Sequence, residues 1–276
     1  MSSQSSQSAP PGKILAKVPG AEPSARMDPW WWMVLGVVAI IILLIVTRPD
    51  PFSNMFQFFL DGIAITLEVT IISFIAILVL GLIGGLGRLS KSPILRGIAT
   101  IYVELIRGIP LLVQLFFWYF AFPAVVQGIG TSLNIDGLKT FTTNAMVTAV
   151  MGLTICYGAY MSEIYRAGIQ SISKGQMEAA RSLGMTYFEA MRYVILPQAI
   201  RVIMPPVGNE FISLLKDSSL VSQVAIADLT RLGREYSGAH YNPIETWSMV
   251  ALIYLVMTLS SARLVSFIER KTRIDR

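Results

Sequence analysis

Glu178-Ala179-Ala180-Arg181-Ser182-Leu183-Gly184, followed after nine residues by Val194-Ile195-Leu196-Pro197, is the one polar island of any length in the middle of an otherwise apolar chain. Its helix boundaries are written into it. Ser173 and Gln176 have the spacing of a capping box and Gly184 supplies a left-handed stop, so the first helix is expected over about 174 to 183. Thr186 and Glu189 repeat the box after the glycine. Pro197 pushes the residue before it away from helical angles, which predicts a second helix over about 187 to 195 that ends there.

Outward from this island the composition is that of a membrane protein. Of 276 residues, 54% are hydrophobic and only 14% charged, with a mean hydropathy of +0.60. Several runs approach the roughly 20 apolar residues that a helix needs to cross a bilayer. The expected fold is an all-α integral membrane protein of about six transmembrane helices. A single cysteine, Cys156, precludes an intrachain disulfide.

The island resembles the cytoplasmic loop of the membrane subunits of bacterial ATP-driven importers, in which Glu-Ala-Ala, three residues, Gly, nine residues, Ile, one residue and Leu-Pro recur; here Val194 stands for the Ile. Two further stretches narrow the resemblance to permease subunits of type I ABC importers for polar amino acids. One is Glu104-Leu105-Ile106-Arg107-Gly108-Ile109-Pro110-Leu111-Leu112-Val113-Gln114, and the other runs from Gly208-Asn209-Glu210 through Lys216-Asp217-Ser218-Ser219 to Ser222. The resemblance implies an ATPase-docking role for Ser173, Glu178, Ala179, Ala180, Gly184 and Pro197. It covers about residues 60 to 268.

Met1 to Met27 is rich in Ser, Gln, Pro and Ala and reads as a disordered cytoplasmic tail, giving a first segment of 1–28. Residues 29–47 form an N-terminal transmembrane helix opened by Pro29 and three tryptophans, a retained anchor added to a five-helix core. The importer transmembrane domain is expected over 57–268, with the coupling loop at 170–199 and a charged cytoplasmic tail at 269–276. Within it, the run 62–86 contains Glu68 and carries Gly81 and Gly85 four apart, a spacing that lets helices approach closely in lipid. The glycine-rich stretch is no phosphate loop, because Gly-Lys-Ser/Thr is absent at the required spacing.

A third span is expected over 94–120, an external loop over 121–140 and a fourth span over 141–165, with Cys156 and Tyr157 as packing residues. Glu104 and Arg107, like Glu163 and Arg166, are spaced as i, i+3 pairs, the latter exposed at the base of the coupling loop. The fifth span, 200–227, contains Pro205 and Pro206, which predict a break there. A loop over 228–243 contains the lone histidine, His240, read as a solvated side chain, and 246–262 is the last span.

An amino acid in transit needs polar groups near the midplane. The candidates are Asn209, Glu210, Lys216, Asp217, Ser218 and Ser219, with Glu104 and Arg107. The competing reading is that Lys216 and Asp217 pair with each other or with Arg107 and only hold subunits together.

Six spans with both termini inside would put sixteen basic residues in cytoplasmic segments, including Arg88, Lys91, Arg166 and Arg181, and leave Arg48, Lys139, Arg231 and Arg234 outside. That asymmetry follows the positive-inside rule, so the net charge of +5 is a topology signal and not a nucleic-acid footprint. The function expected is a transport subunit, not an enzyme and without a cofactor, in a bacterial cytoplasmic (inner) membrane. Its implied partners are an ATP-binding cassette ATPase dimer, a second permease subunit (identical or paralogous), an extracytoplasmic solute-binding protein and the lipid bilayer. The alternative is a self-sufficient secondary transporter or channel using Glu68, Glu104, Arg107 and Asp217. The amino acid carried is not legible in the chain.

Overall fold

A computed structural model describes residues 29–272, with side chains over 30–271; the expected tail at 1–28 and the last four residues of the one expected at 269–276 lie outside the described residues, while residues 269–272 continue the last helix. No strand occurs among the described residues. The helices are α1 (Pro29–Thr47), α2 (Pro49–Leu89), α3 (Pro93–Arg107), α4 (Leu111–Phe116), α5 (Phe122–Ser132), α6 (Asp136–Lys139), α7 (Ala145–Gln170), α8 (Lys174–Ser182), α9 (Tyr187–Ala190), α10 (Leu196–Asp217), α11 (Leu229–His240) and α12 (Pro243–Thr272).

Among the described residues, five segments are long and apolar enough to cross a membrane: Trp30–Thr47, Pro49–Leu89, Leu111–Ser132, Ala145–Gln170 and Pro243–Lys271. The sixth, α10, has 22 residues and so a length of about 33 Å, enough to span, but it carries Arg201, Glu210, Lys216 and Asp217.

The centre of the fold is the pairing of α2 with α7. The glycine spacing on α2 predicted close approach, and a Cβ at Gly84 would lie 2.2 Å from Ser162 Oγ, one at Gly85 3.0 Å from the Ser162 carbonyl oxygen. One core cluster joins Ile77, Leu153, Met161, Ile203 and Leu214 from α2, α7 and α10. A second joins Ile41 of α1, Phe52 and Phe59 of α2, Leu229 and Leu232 of α11, and Met249 and Ile253 of α12. The first helix thus packs against the bundle along one face, and most of its residues are exposed. Arg263 of α12 also lies over the Trp31 ring, 6.0 Å from its centroid.

Four expectations are corrected. The third span is not one helix over 94–120: it breaks at Gly108-Ile109-Pro110, and the expected loop 121–140 is largely α5 and α6. The loop expected over 228–243 is α11, started by Asp228, whose carboxylate accepts from the amides of Thr230 and Arg231 at 3.1 and 3.0 Å. Pro205 and Pro206 do not interrupt α10. Each removes the donor to the carbonyl four residues earlier, at Arg201 and Val202, yet the helix runs on through them, packed between α7 and α12. The helix ends instead at Asp217, where Ser218 Oγ donates to the Leu215 carbonyl at 2.8 Å and a 3₁₀ segment runs over Ser218–Gln223.

Pro197 likewise does not end the second coupling helix. A π-helical turn over Met191–Ile195 precedes it and joins α9 directly to α10, so Pro197 lies inside one continuous helical run just after the widened turn.

Candidate functional site: an elbow, a cavity and a docking segment

Two places in the fold gather the sequence candidates. The first is a cavity of about 440 Å³ between the α3–α4 elbow, α7 and α10, lined by Arg107, Gly108, Ile109, Pro110, Leu111, Cys156, Tyr157, Tyr160, Glu210 and Asp217. Glu210 and Asp217 are seven residues apart on α10, so they lie two turns apart on one face. Tyr157 donates to Asp217 Oδ2 at 2.6 Å. Arg107 stands over the Tyr160 ring, with its guanidinium carbon 5.2 Å from the centroid.

Of the expected pathway residues, Arg107, Glu210 and Asp217 therefore share one cavity. Asn209 and Lys216 are exposed, and Ser218 is buried with its hydroxyl turned back on its own helix; none of these three lines the cavity. Ser219 is half-buried outside it. Glu104 does not pair with Arg107 but with Arg88 of α2, at 3.3 Å. Arg88 also bonds Glu163 at 2.7 Å, and Glu163 holds Arg166. The Glu163–Arg166 pair thus forms as its spacing predicted, but it is half-buried and part of a network joining α2, α3 and α7.

Cys156 and Tyr157 are buried packing residues as expected, Tyr157 in the first core cluster, and both also wall the cavity. Tyr160 was not anticipated, because nothing in its local sequence separates it from an ordinary core aromatic. The lone His240 stacks on Tyr236, ring centroids 4.0 Å apart.

The second place is the segment 173–197. Ser173 caps α8 by accepting from Gly175 N at 3.3 Å, but the expected reciprocal box with Gln176 does not form, since the Gln176 side chain instead accepts from Gln198 Nε2 at 3.4 Å. Gly184 has φ +86°, and the bonds Gly184 N to Arg181 O (3.0 Å) and Met185 N to Ala180 O (3.3 Å) make a Schellman stop. The second box is complete. The backbone amide and hydroxyl of Thr186 each donate to Glu189 Oε2 at 2.8 Å, holding that carboxyl below the usual glutamate range. Glu178 and Ala179 are exposed, Ala180 is buried and Pro197 is exposed. Leu183 and Phe188, both 83% exposed, flank the glycine turn as bare apolar knobs that the motif had not singled out.

The family model for binding-protein-dependent transport system inner membrane components matches residues 77–274, which include the elbow, the cavity walls and the docking segment. The chain belongs to this family. The permease is 38% identical over 215 residues to the glutamine transport system permease protein of Escherichia coli (strain K12), covering 78% of this chain and 93% of that one. It is 41% identical over 216 residues to the L-cystine transport system permease protein of Bacillus subtilis (strain 168), covering 78% and 86%. Among solved structures, an amino acid ABC transporter crystallised with histidines superposes with a TM-score of 0.69 at 39% identity, covering 79% of this chain and 96% of that one. An inward-facing methionine ABC transporter, at 21% identity and a TM-score of 0.65, shares the fold.

The chain is thus a multi-pass inner-membrane permease, a transport component and not an enzyme.

Proposed function

We propose that this permease carries an amino acid through the cavity bounded by Arg107, Tyr157, Tyr160, Glu210 and Asp217, and that the segment 173–197 docks a separate ATPase. The observation that carries the first part is the separation of charge across the cavity. A guanidinium stands on the elbow side and two carboxylates stand on α10, the arrangement that solvates both ends of a zwitterion. Its volume of about 440 Å³ suits a small molecule. The amino-acid class is supported by the relatives named for glutamine and cystine transport.

What supports docking is a rigid, doubly capped helix pair carrying Glu178, Ala179 and Ala180 between Ser173 and Gly184, with Leu183 and Phe188 left bare and Pro197 leading into α10. Because α9, the π-turn and α10 are continuous, a push on the docking segment reaches Glu210 and Asp217 along one rod. In the full assembly the partners are an ATPase dimer, a second permease subunit and an extracytoplasmic solute-binding protein. Residues 29–47 form an anchor and 57–268 the transport domain. Lys216 and Asn209, exposed at the far end and the middle of α10, face the second permease subunit or the pore between the two, where a charge is tolerated.

The test is uptake of radiolabelled L-glutamine, L-cystine and other amino acids by proteoliposomes holding the co-purified complex. Asp217→Asn and Glu210→Gln should lower uptake while ATP hydrolysis persists. Unaltered uptake in both would remove the cavity from the pathway.

A further inference from the structure

The elbow that forms one wall of the cavity is held by a side chain outside it. Pro110 has no N–H, so the Ile106 carbonyl loses the donor that a continuous helix would give it four residues on. Ile109 precedes the first turn of α4, whose ladder begins with Gln114 N to Pro110 O at 3.1 Å, so its carbonyl also lies outside the ladder. Gln114 Nε2 donates to both, at 2.8 Å to Ile106 O and 2.8 Å to Ile109 O. The same nitrogen lies 3.5 Å from Cys156 Sγ on α7. Gln114 is only 4% exposed, so water does not substitute for its hydrogens.

We infer that Gln114 is a positioning residue for the translocation cavity: its amide closes the broken helix at Ile106 and Ile109, holds the Gly108–Pro110 elbow against α7, and thereby sets where Arg107 stands. The inference rests on the cavity being the pathway proposed above. One amide group donates to two of the carbonyls around the break, of which Ile106 O otherwise has only the long bond from Ile109 N at 3.4 Å, so the elbow owes its shape to this side chain as well as to Pro110. Gln114 does not line the cavity and has no contact to offer a passing solute.

The native cysteine supplies a readout independent of transport. Cys156 is the single cysteine of the chain and lines the cavity, yet is 3% exposed. Labelling by N-ethylmaleimide in the assembled complex is followed on this chain alone, with Gln114→Leu and the volume-matched Gln114→Met. Loss of two buried hydrogen bonds is expected to raise both the labelling rate and the KM for uptake by about tenfold or more, with maximal ATPase activity little changed. Pro110→Ala returns a donor to the Ile106 carbonyl, so its effect and that of Gln114→Leu should be non-additive.

Unchanged labelling and KM in both Gln114 variants would overturn the inference. So would a raised KM with unchanged labelling and additive behaviour, which would make Gln114 a solute contact. Failure of both variants to accumulate in the membrane would assign Gln114 to folding and overturn it as well. If L-glutamine or another transported amino acid fails to protect Cys156 in the unmodified complex, the cavity is not the pathway, whatever Gln114 does to the elbow.

Discussion

Gly184 allows backbone strain at the docking segment to be separated from every other effect. Its φ is +86°, and a Cβ built on it meets nothing within 4 Å, so a substitution there is opposed by conformation alone. For an L-residue with a side chain the left-handed region costs roughly 1–2 kcal/mol, and a β-branched residue is disfavoured further. If docking requires the Schellman turn, Gly184→Ala should weaken association with the ATPase by a factor of about 5 to 30. Gly184→Val should weaken it more. Asparagine tolerates the left-handed region, so Gly184→Asn should retain most of the association. The assay is co-purification of the ATPase with the tagged permease, together with ATP hydrolysis in proteoliposomes. Because the membrane core is far from this turn, thermal unfolding of the spans should be unchanged. Equal behaviour of Ala, Val and Asn would refute the reasoning, since only backbone conformation distinguishes them at a site with open space.

Gly84→Val should lower the amount of folded permease in the membrane, because its Cβ would lie 2.2 Å from Ser162 Oγ, an oxygen already bonded to the Gly158 carbonyl; overpacking of this kind costs typically about 1–3 kcal/mol. Ser162→Gly should restore part of the loss, measured by fluorescence-detected melting. Thr186 holds the Glu189 carboxyl below its ordinary range, so the cap is fully present above the ordinary glutamate value and is lost as pH falls through the lower native one. Docking measured at descending pH should weaken in that window, and Glu189→Ala should abolish the acid-dependent step. For topology, a cysteine replacing Ser173 should be shielded from an impermeant thiol reagent in intact cells while one replacing Gly238 reacts; the opposite labelling would overturn the orientation with both termini inside.

Local chemistry made much of the molecule legible in the chain. The helices at 29–47 and 174–182 end within a residue or so of their expected bounds, because apolar length, caps and a glycine stop act over one or two turns. The Thr186–Glu189 box formed for the same reason. The close α2–α7 approach was legible in the spacing of Gly81 and Gly85. Charge asymmetry and three ordered motifs then narrowed the function to a transport subunit.

Other features were decided only in three dimensions. The proline pair in α10 reads as a break by its missing donors, yet the helix continues through it where it packs against α7 and α12, and that packing is a property of the whole fold. Glu104 has Arg107 as its sequence neighbour, but Arg88 from another helix takes it. The cavity could not be foreseen as a unit. It joins an elbow near residue 108, one face of α7 and one face of α10, and these meet only after the helices pack. Tyr157 is the sharpest case: its sequence context is that of any buried aromatic, and its hydrogen bond to Asp217 exists because tertiary packing carries two residues 60 positions apart to within 2.6 Å. Sequence determines what is settled within a few turns of chain, whereas partners supplied by other helices are settled by packing.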